Sequence, residues 1–76
     1  MKEQIKEFLE KNRKISNLDE DEDLFKKGYV NSLFALQLVM FLESTFSIKI
    51  KSKEITEDNF RTVNNIYETV KRLKGE

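Results

Sequence analysis

Apolar residues recur with a helical period in three stretches of this chain and lose that period between them. In the first stretch Ile5, Phe8 and Leu9 share one face, Met1 lies a turn earlier, and the other positions are almost all charged or polar. This spacing predicts an amphipathic helix from Lys2 to about Asn12. Glu3/Glu7 and Lys2/Lys6 set like charges four apart, and Glu7/Lys11 opposes them in the favourable order. A second helix is predicted from Asn31 or Ser32 to about Phe46. There Ala35, Leu38, Val39, Leu42 and Phe46 form a core-facing stripe. Leu33, Phe34, Leu36, Met40 and Phe41 fall off that stripe. A helix apolar on more than one face is either wholly buried or presents a second surface to something else. A chain of 76 residues has little material to bury it completely, so part of that surface is expected to dock a partner. A third helix is predicted from Val63 to about Leu73. Val63, Ile66, Val70 and Leu73 face inward, Thr62 is its cap, and Lys71, Arg72 and Lys74 suit its C-terminal end.

Between the first two helices, residues 13–31 carry scattered apolar anchors: Ile15, Leu18, Leu24, Phe25, Tyr29 and Val30. A connection this long is unusual in so small a unit, and ordered long loops tend to be functional. Its anchors predict that it packs onto the helices. Residues 46–51 alternate apolar and polar, an extended pattern. With no second convincing strand for pairing, the segment is expected to be an extended connection with Phe46, Ile48 and Ile50 turned inward. Thr56 followed by Glu57 and Asp58 predicts one short helical turn ending at Phe60. The expected fold is all-α: three main helices plus a short one around one core, with a long first loop. No proline, no linker and no repeat divides residues 1–76, which read as a single domain.

Composition narrows the function by exclusion. The chain has no cysteine and no histidine. It therefore has no disulfide, no usual His/Cys zinc site and no Ser-His or Cys-His nucleophile pair. No catalytic residue and no metal ligand set is assigned. Fourteen basic residues balance fourteen acidic ones, which speaks against a general nucleic-acid binder. No apolar stretch resembles a signal sequence or spans a bilayer, so a cytoplasmic protein with no membrane partner is expected. A monomer is expected as well. The lysine stripe Lys49, Lys51, Lys53 reads as solvated surface. Asp19, Asp21 and Asp23 match the start of a calcium loop, but Leu24 stands where such a loop needs glycine and Val30 where it needs a bidentate glutamate.

Asn31-Ser32 stands where the long loop meets the second helix. Both residue types are good N-caps, and on position alone a cap is the expected role. A serine hydroxyl there is also exposed at the positive end of the helix dipole, where a phosphate ester would be favoured.

The run Asp23-Leu24-Phe25-Lys26-Lys27-Gly28-Tyr29-Val30-Asn31-Ser32-Leu33 resembles the attachment region of acyl and peptidyl carrier proteins. Leu36 to Glu43 is similar to the family's second helix, and Phe46 to Ile50 and Asp58 to Val63 to its later loop and short third helix. The resemblance spans essentially the whole chain. It implies a right-handed four-helix bundle and a 4′-phosphopantetheine arm, taken from coenzyme A, on Ser32. It also implies a Mg²⁺-dependent phosphopantetheinyl transferase, an acyl- or aminoacyl-loading enzyme and a downstream synthase as partners. The protein would be a shuttle and not an enzyme. Asn31 replaces the family's usual aspartate, and Phe34 and Gln37 stand where many fatty-acid carriers have acids. Docking is therefore expected to be apolar, through Leu33, Phe34, Leu36 and Met40. The wording from Val30 to Leu38 looks closest to stand-alone carriers of unusual polyketide extender units. The alternatives are an aminoacyl carrier for cell-wall or peptide modification, and a helical interaction module without a prosthetic group.

Overall fold

Three helices form where the apolar period predicts them, and a short one forms where the Thr56 cap does. The computed structural model describes residues 1–75, and among these the elements are α1 (Lys2–Arg13), α2 (Ser32–Phe46), α3 (Glu57–Phe60) and α4 (Val63–Leu73). A single 3₁₀ turn over Ser52–Glu54, which no sequence pattern announced, precedes α3. The N-caps act as their residue types predict. Asn31, Thr56 and Thr62 each accept a backbone N–H three residues on, from Phe34, Asn59 and Asn65. The C-terminal ends are less orthodox. Lys14 and Ser47 close α1 and α2 in the left-handed conformation, with φ of 54° and 55° and no glycine to ease it. Lys14 and Ser47 donate to the carbonyls of Glu10 and Glu43, bonds that offset the strain.

The core is one cluster to which all four α-helices and the connections between them contribute. Ile5 and Leu9 come from α1, Leu38 and Leu42 from α2, Phe60 from α3, and Val63, Ile66 and Val70 from α4. Each fully buried side chain of this kind contributes about 1.5–3 kcal/mol over leaving it exposed. The α2 stripe of Ala35, Leu38, Val39, Leu42 and Phe46 is buried throughout, as its spacing predicts. Among the described residues Thr69 is the polar exception. Its hydroxyl sits in the core because it donates to the carbonyl of Asn65 one turn back, 2.9 Å away. In the 46–51 connection Phe46 and Ile50 are buried and Ile48 is half-buried. Glu43 on α2 reaches forward to accept the Ile50 N–H at 2.8 Å, which holds this segment against the helix it has just left.

The long loop is an ordered part of the fold. Leu18, Leu24 and Val30 are buried in the core, with Leu24 wholly inaccessible. The Leu24 N–H donates to the carbonyl of Arg61 at 2.7 Å, and the Leu24 carbonyl accepts from Tyr29 and Val30. Asp19, Asp21 and Asp23 hold this loop in shape. Asp19 accepts from the Asp21 N–H, Asp23 accepts from the Lys26 N–H, and Asp21 binds the Asn64 side chain on α4. Glu10 of α1 accepts the Leu18 N–H at 2.8 Å. Gly28, at φ 77°, makes the tight turn before the site, a conformation few side chains tolerate.

Candidate functional site

Ser32 is placed by what precedes it. Leu24 anchors the loop in the core, its carbonyl collects the N–H groups of Tyr29 and Val30, and Val30 is itself buried. Two residues on, the chain leaves the core as α2 begins, so Asn31 and Ser32 are exposed. Asn31 is extended (φ −137°), and its Oδ1 accepts the Phe34 N–H at 2.8 Å while its carbonyl accepts from Ala35. The cap is therefore Asn31 alone, and Ser32 is released from that duty. The Ser32 and Leu33 amides lie ahead of the first intrahelical bond. No acidic residue occupies the first turn of α2.

A cleft of about 480 Å³ opens beside this helix start. Its lining comes from two stretches of the chain: Phe25 and Val30 to Ala35, with Asn31 and Ser32 among them, and Ile55 to Phe60, with Thr56 and Glu57 among them. The α3 side of this cleft was not visible in the sequence. Thr56 and Glu57 read only as a helix start, and their approach to Ser32 depends on how the 46–55 connection doubles back. Around Glu57 one cation serves three carboxylates. Arg61 approaches Asp58 at 3.2 Å, Glu57 at 3.8 Å and Asp23 at 3.9 Å.

Of the four residues expected on the docking face, three are on the surface together: Leu33, Leu36 and Met40 are 73%, 56% and 69% exposed. The expectation for Phe34 is corrected. It is buried, its ring stacks at 5.9 Å on Phe8, and the Arg13 guanidinium lies 5.0 Å above its ring. Phe41, also off the core stripe, stacks on Phe8 at 4.1 Å. These two off-stripe aromatics are thus spent on the seam with α1. The exposed face of α2 is left narrower and nearly free of charge, because Glu43, the one charged residue of α2, is turned to Ile50.

An ordered loop leading to an exposed serine at the start of the second helix of an all-helical unit is the architecture of an acyl-carrier-type helical bundle. Its relatives agree. The chain is 43% identical over 54 residues to the D-alanyl carrier protein of Streptococcus pyogenes serotype M5 (strain Manfredo), covering 71% of this chain and 68% of that protein. It is 42% identical over 55 residues to the D-alanyl carrier protein of Streptococcus uberis, covering 72% and 70%. No family model matches the chain. At this identity and coverage the chain belongs to the carrier-protein family. Membership makes it a carrier and not an enzyme, with a covalently attached phosphopantetheine arm. No helix among the described residues is long and apolar enough to cross a membrane.

Proposed function

We propose that this protein carries an aminoacyl group as a thioester on a 4′-phosphopantetheine arm attached to Ser32. The observation that carries the reading is the exposed Ser32 at the start of α2, held there by a buried loop and relieved of capping by Asn31. The residues present fit the group. The hydroxyl is accessible, the adjacent amides and the helix dipole favour a phosphodiester, and no acid in the first turn repels it. When bound, the arm supplies a terminal thiol that holds cargo as a thioester. Ser32 Oγ provides the nucleophile toward the coenzyme A pyrophosphate, its proton passing to a base of the transferase and the adenosine bisphosphate half leaving. The chain has no histidine or cysteine to act as that base. The aminoacyl assignment draws on the two relatives named for D-alanyl carriage. Nothing in those names supports the polyketide extender setting.

The partners in this reading are a phosphopantetheinyl transferase, an amino-acid-activating loading enzyme and a downstream acceptor enzyme. Leu33, Leu36 and Met40 form their docking face, and its lack of charge calls for an apolar counterpart. The direct test incubates apo protein with coenzyme A, Mg²⁺ and a broad-specificity transferase, then reads intact mass. Wild type gains one phosphopantetheinyl group and Ser32→Ala gains none. An unmodified wild type across several transferases, or a modified Ser32→Ala, overturns the assignment.

A further inference from the structure

We infer that Arg13 is a positioning residue of the attachment site: it fastens the end of α1 to both flanks of Ser32 and holds the serine in the geometry that the transferase uses. This deepens, and rests on, the reading of Ser32 as the arm's attachment point. Arg13 is the last residue of α1. Its Nη2 donates to the carbonyl of Gly28 at 3.4 Å, and its guanidinium lies 5.0 Å over the Phe34 ring. Gly28 makes the turn that leads into the site, at φ 77°. Phe34 supplies the amide that pins Asn31. One side chain therefore touches this segment before the serine and again after it. Among the described residues, no side chain outside the loop and α2 other than Arg13 hydrogen-bonds to residues 28–33.

The end of α1 is built to keep Arg13 in place. Lys14 takes the left-handed conformation at φ 54°, and Ile15 donates to the Glu10 carbonyl at 2.9 Å, so the chain turns sharply just after Arg13. Arginine suits the task, because its planar fork can donate to a carbonyl and lie over a ring at once. A cation in the last turn is favourable at any helix C-terminus, and Lys11 supplies the same charge there. That role does not require contacts on the far side of the loop. Among the described residues Arg13 pairs with no carboxylate, which leaves Gly28 and Phe34 as its partners. Each contact is weak alone, since the bond is long and the side chain exposed. The residues between them are otherwise held by the Leu24 carbonyl, the burial of Val30 and the Asn31 cap. Loss of Arg13 therefore loosens the backbone around Ser32 while the core beneath keeps its packing.

The test compares apo wild type with Arg13→Ala, Arg13→Lys and Lys11→Ala. Amide hydrogen exchange is read first, because it needs no modification and so separates failure of this proposal from failure of the Ser32 assignment. The hydrogen-bonded amides of Tyr29, Val30 and Phe34 should exchange about 2- to 10-fold faster in Arg13→Ala, the range expected for one long hydrogen bond and one exposed cation–π contact. The amides of Leu38 and Leu42, deeper in α2, should exchange as in the wild type. Phosphopantetheinylation with coenzyme A, Mg²⁺ and a broad-specificity transferase is then followed by intact mass. In Arg13→Ala kcat should fall by about the same 2- to 10-fold with KM for the carrier unchanged. Arg13→Lys keeps the charge without the fork and should lie between Arg13→Ala and wild type in both readouts. Lys11→Ala should match the wild type. Wild-type exchange at Tyr29, Val30 and Phe34 in Arg13→Ala overturns the proposal. So does a raised KM with kcat unchanged, which would make Arg13 a direct contact of the transferase. An equal loss in Lys11→Ala would assign the effect to helix-end charge and overturns it as well. Should Arg13→Ala fail to fold, Arg13→Lys decides: intermediate exchange and kcat sustain the proposal, and wild-type values of both refute it.

Discussion

Replacing Asn31 tests whether the site is organised as described. In the folded protein its side-chain oxygen accepts a 2.8 Å bond from the Phe34 N–H. Asn31→Ala removes that bond and leaves the α2 end one acceptor short, a loss of about 1 kcal/mol within a range of about 0.5–2. Side-chain packing adds nothing to this figure, because Asn31 is exposed. For a domain of this size, about 1 kcal/mol lowers the Tm by roughly 4–8 °C. Asn31→Asp keeps the acceptor and adds a negative charge to a helix start that has none, so the apo protein should gain about 0.3–1 kcal/mol at low salt. Asn31→Gly should fall close to wild type, within a few tenths of a kcal/mol. Thermal melts followed by far-ultraviolet circular dichroism, at low and at high salt, read all three. The reasoning is refuted if Asn31→Ala melts with the wild type, or if the effect of Asn31→Asp is absent at low salt. Either result would mean that the α2 start is held by its flanking anchors and not by its cap.

Leu24→Ala should cost about 2–5 kcal/mol in chemical denaturation, because a loop residue wholly inaccessible to solvent leaves a cavity as a helix core residue does. A change under about 1 kcal/mol would show that the loop is not part of the core. Met40→Asp and Leu36→Asp should shift stability by no more than about 0.5 kcal/mol, since both side chains already face water. Loading by the proposed amino-acid-activating partner should nevertheless weaken, and unchanged loading kinetics would remove α2 from the proposed docking face. The Glu54 carboxyl is held below its ordinary value by the hydrogen bond from Arg72, whose Nη2 lies 2.8 Å away, with the guanidinium charge adding to it. A depressed carboxyl pKa contributes stability that is present above the unfolded value, near 4.5, and is lost as pH falls through the folded one. Carbon-detected titration should place Glu54 low in the wild type and return it to the ordinary range in Arg72→Ala.

The helices and their inward faces were legible in the chain. Period and caps are local: the α2 stripe, Thr56 and Thr62 needed only neighbours three or four residues away. Where the sequence fell short, the deciding partner was distant or the signal had two meanings. Phe34 and Phe41 lie off the core stripe, and nothing in their spacing distinguishes a docking face from a seam with another helix. Phe8, which stacks on both, decides it. The C-termini of α1 and α2 carry lysine and serine where glycine would have marked the stop, so their left-handed ends could not be read from residue type. The role of Asp19, Asp21 and Asp23 in holding the loop was not legible, because their partners are backbone amides and Asn64, forty-odd residues beyond Asp21.

By itself, then, the sequence determined the all-helical class, the placement of Ser32 at a helix start, and the exclusion of His- or Cys-based chemistry. Each of these depends on residue identity or on spacing within a turn or two. The tertiary structure alone decided which part of α2 stays exposed, and that α3 comes to rest across a cleft from Ser32. Ile55, Thr56, Glu57 and Phe60 are more than twenty residues beyond Ser32. Their approach is set by the Glu43 bond to Ile50, the burial of Phe46, Ile50 and Phe60, and the Leu24 bond to Arg61. Contacts closed over such separations are fixed by how the whole core packs, and no local pattern encodes them.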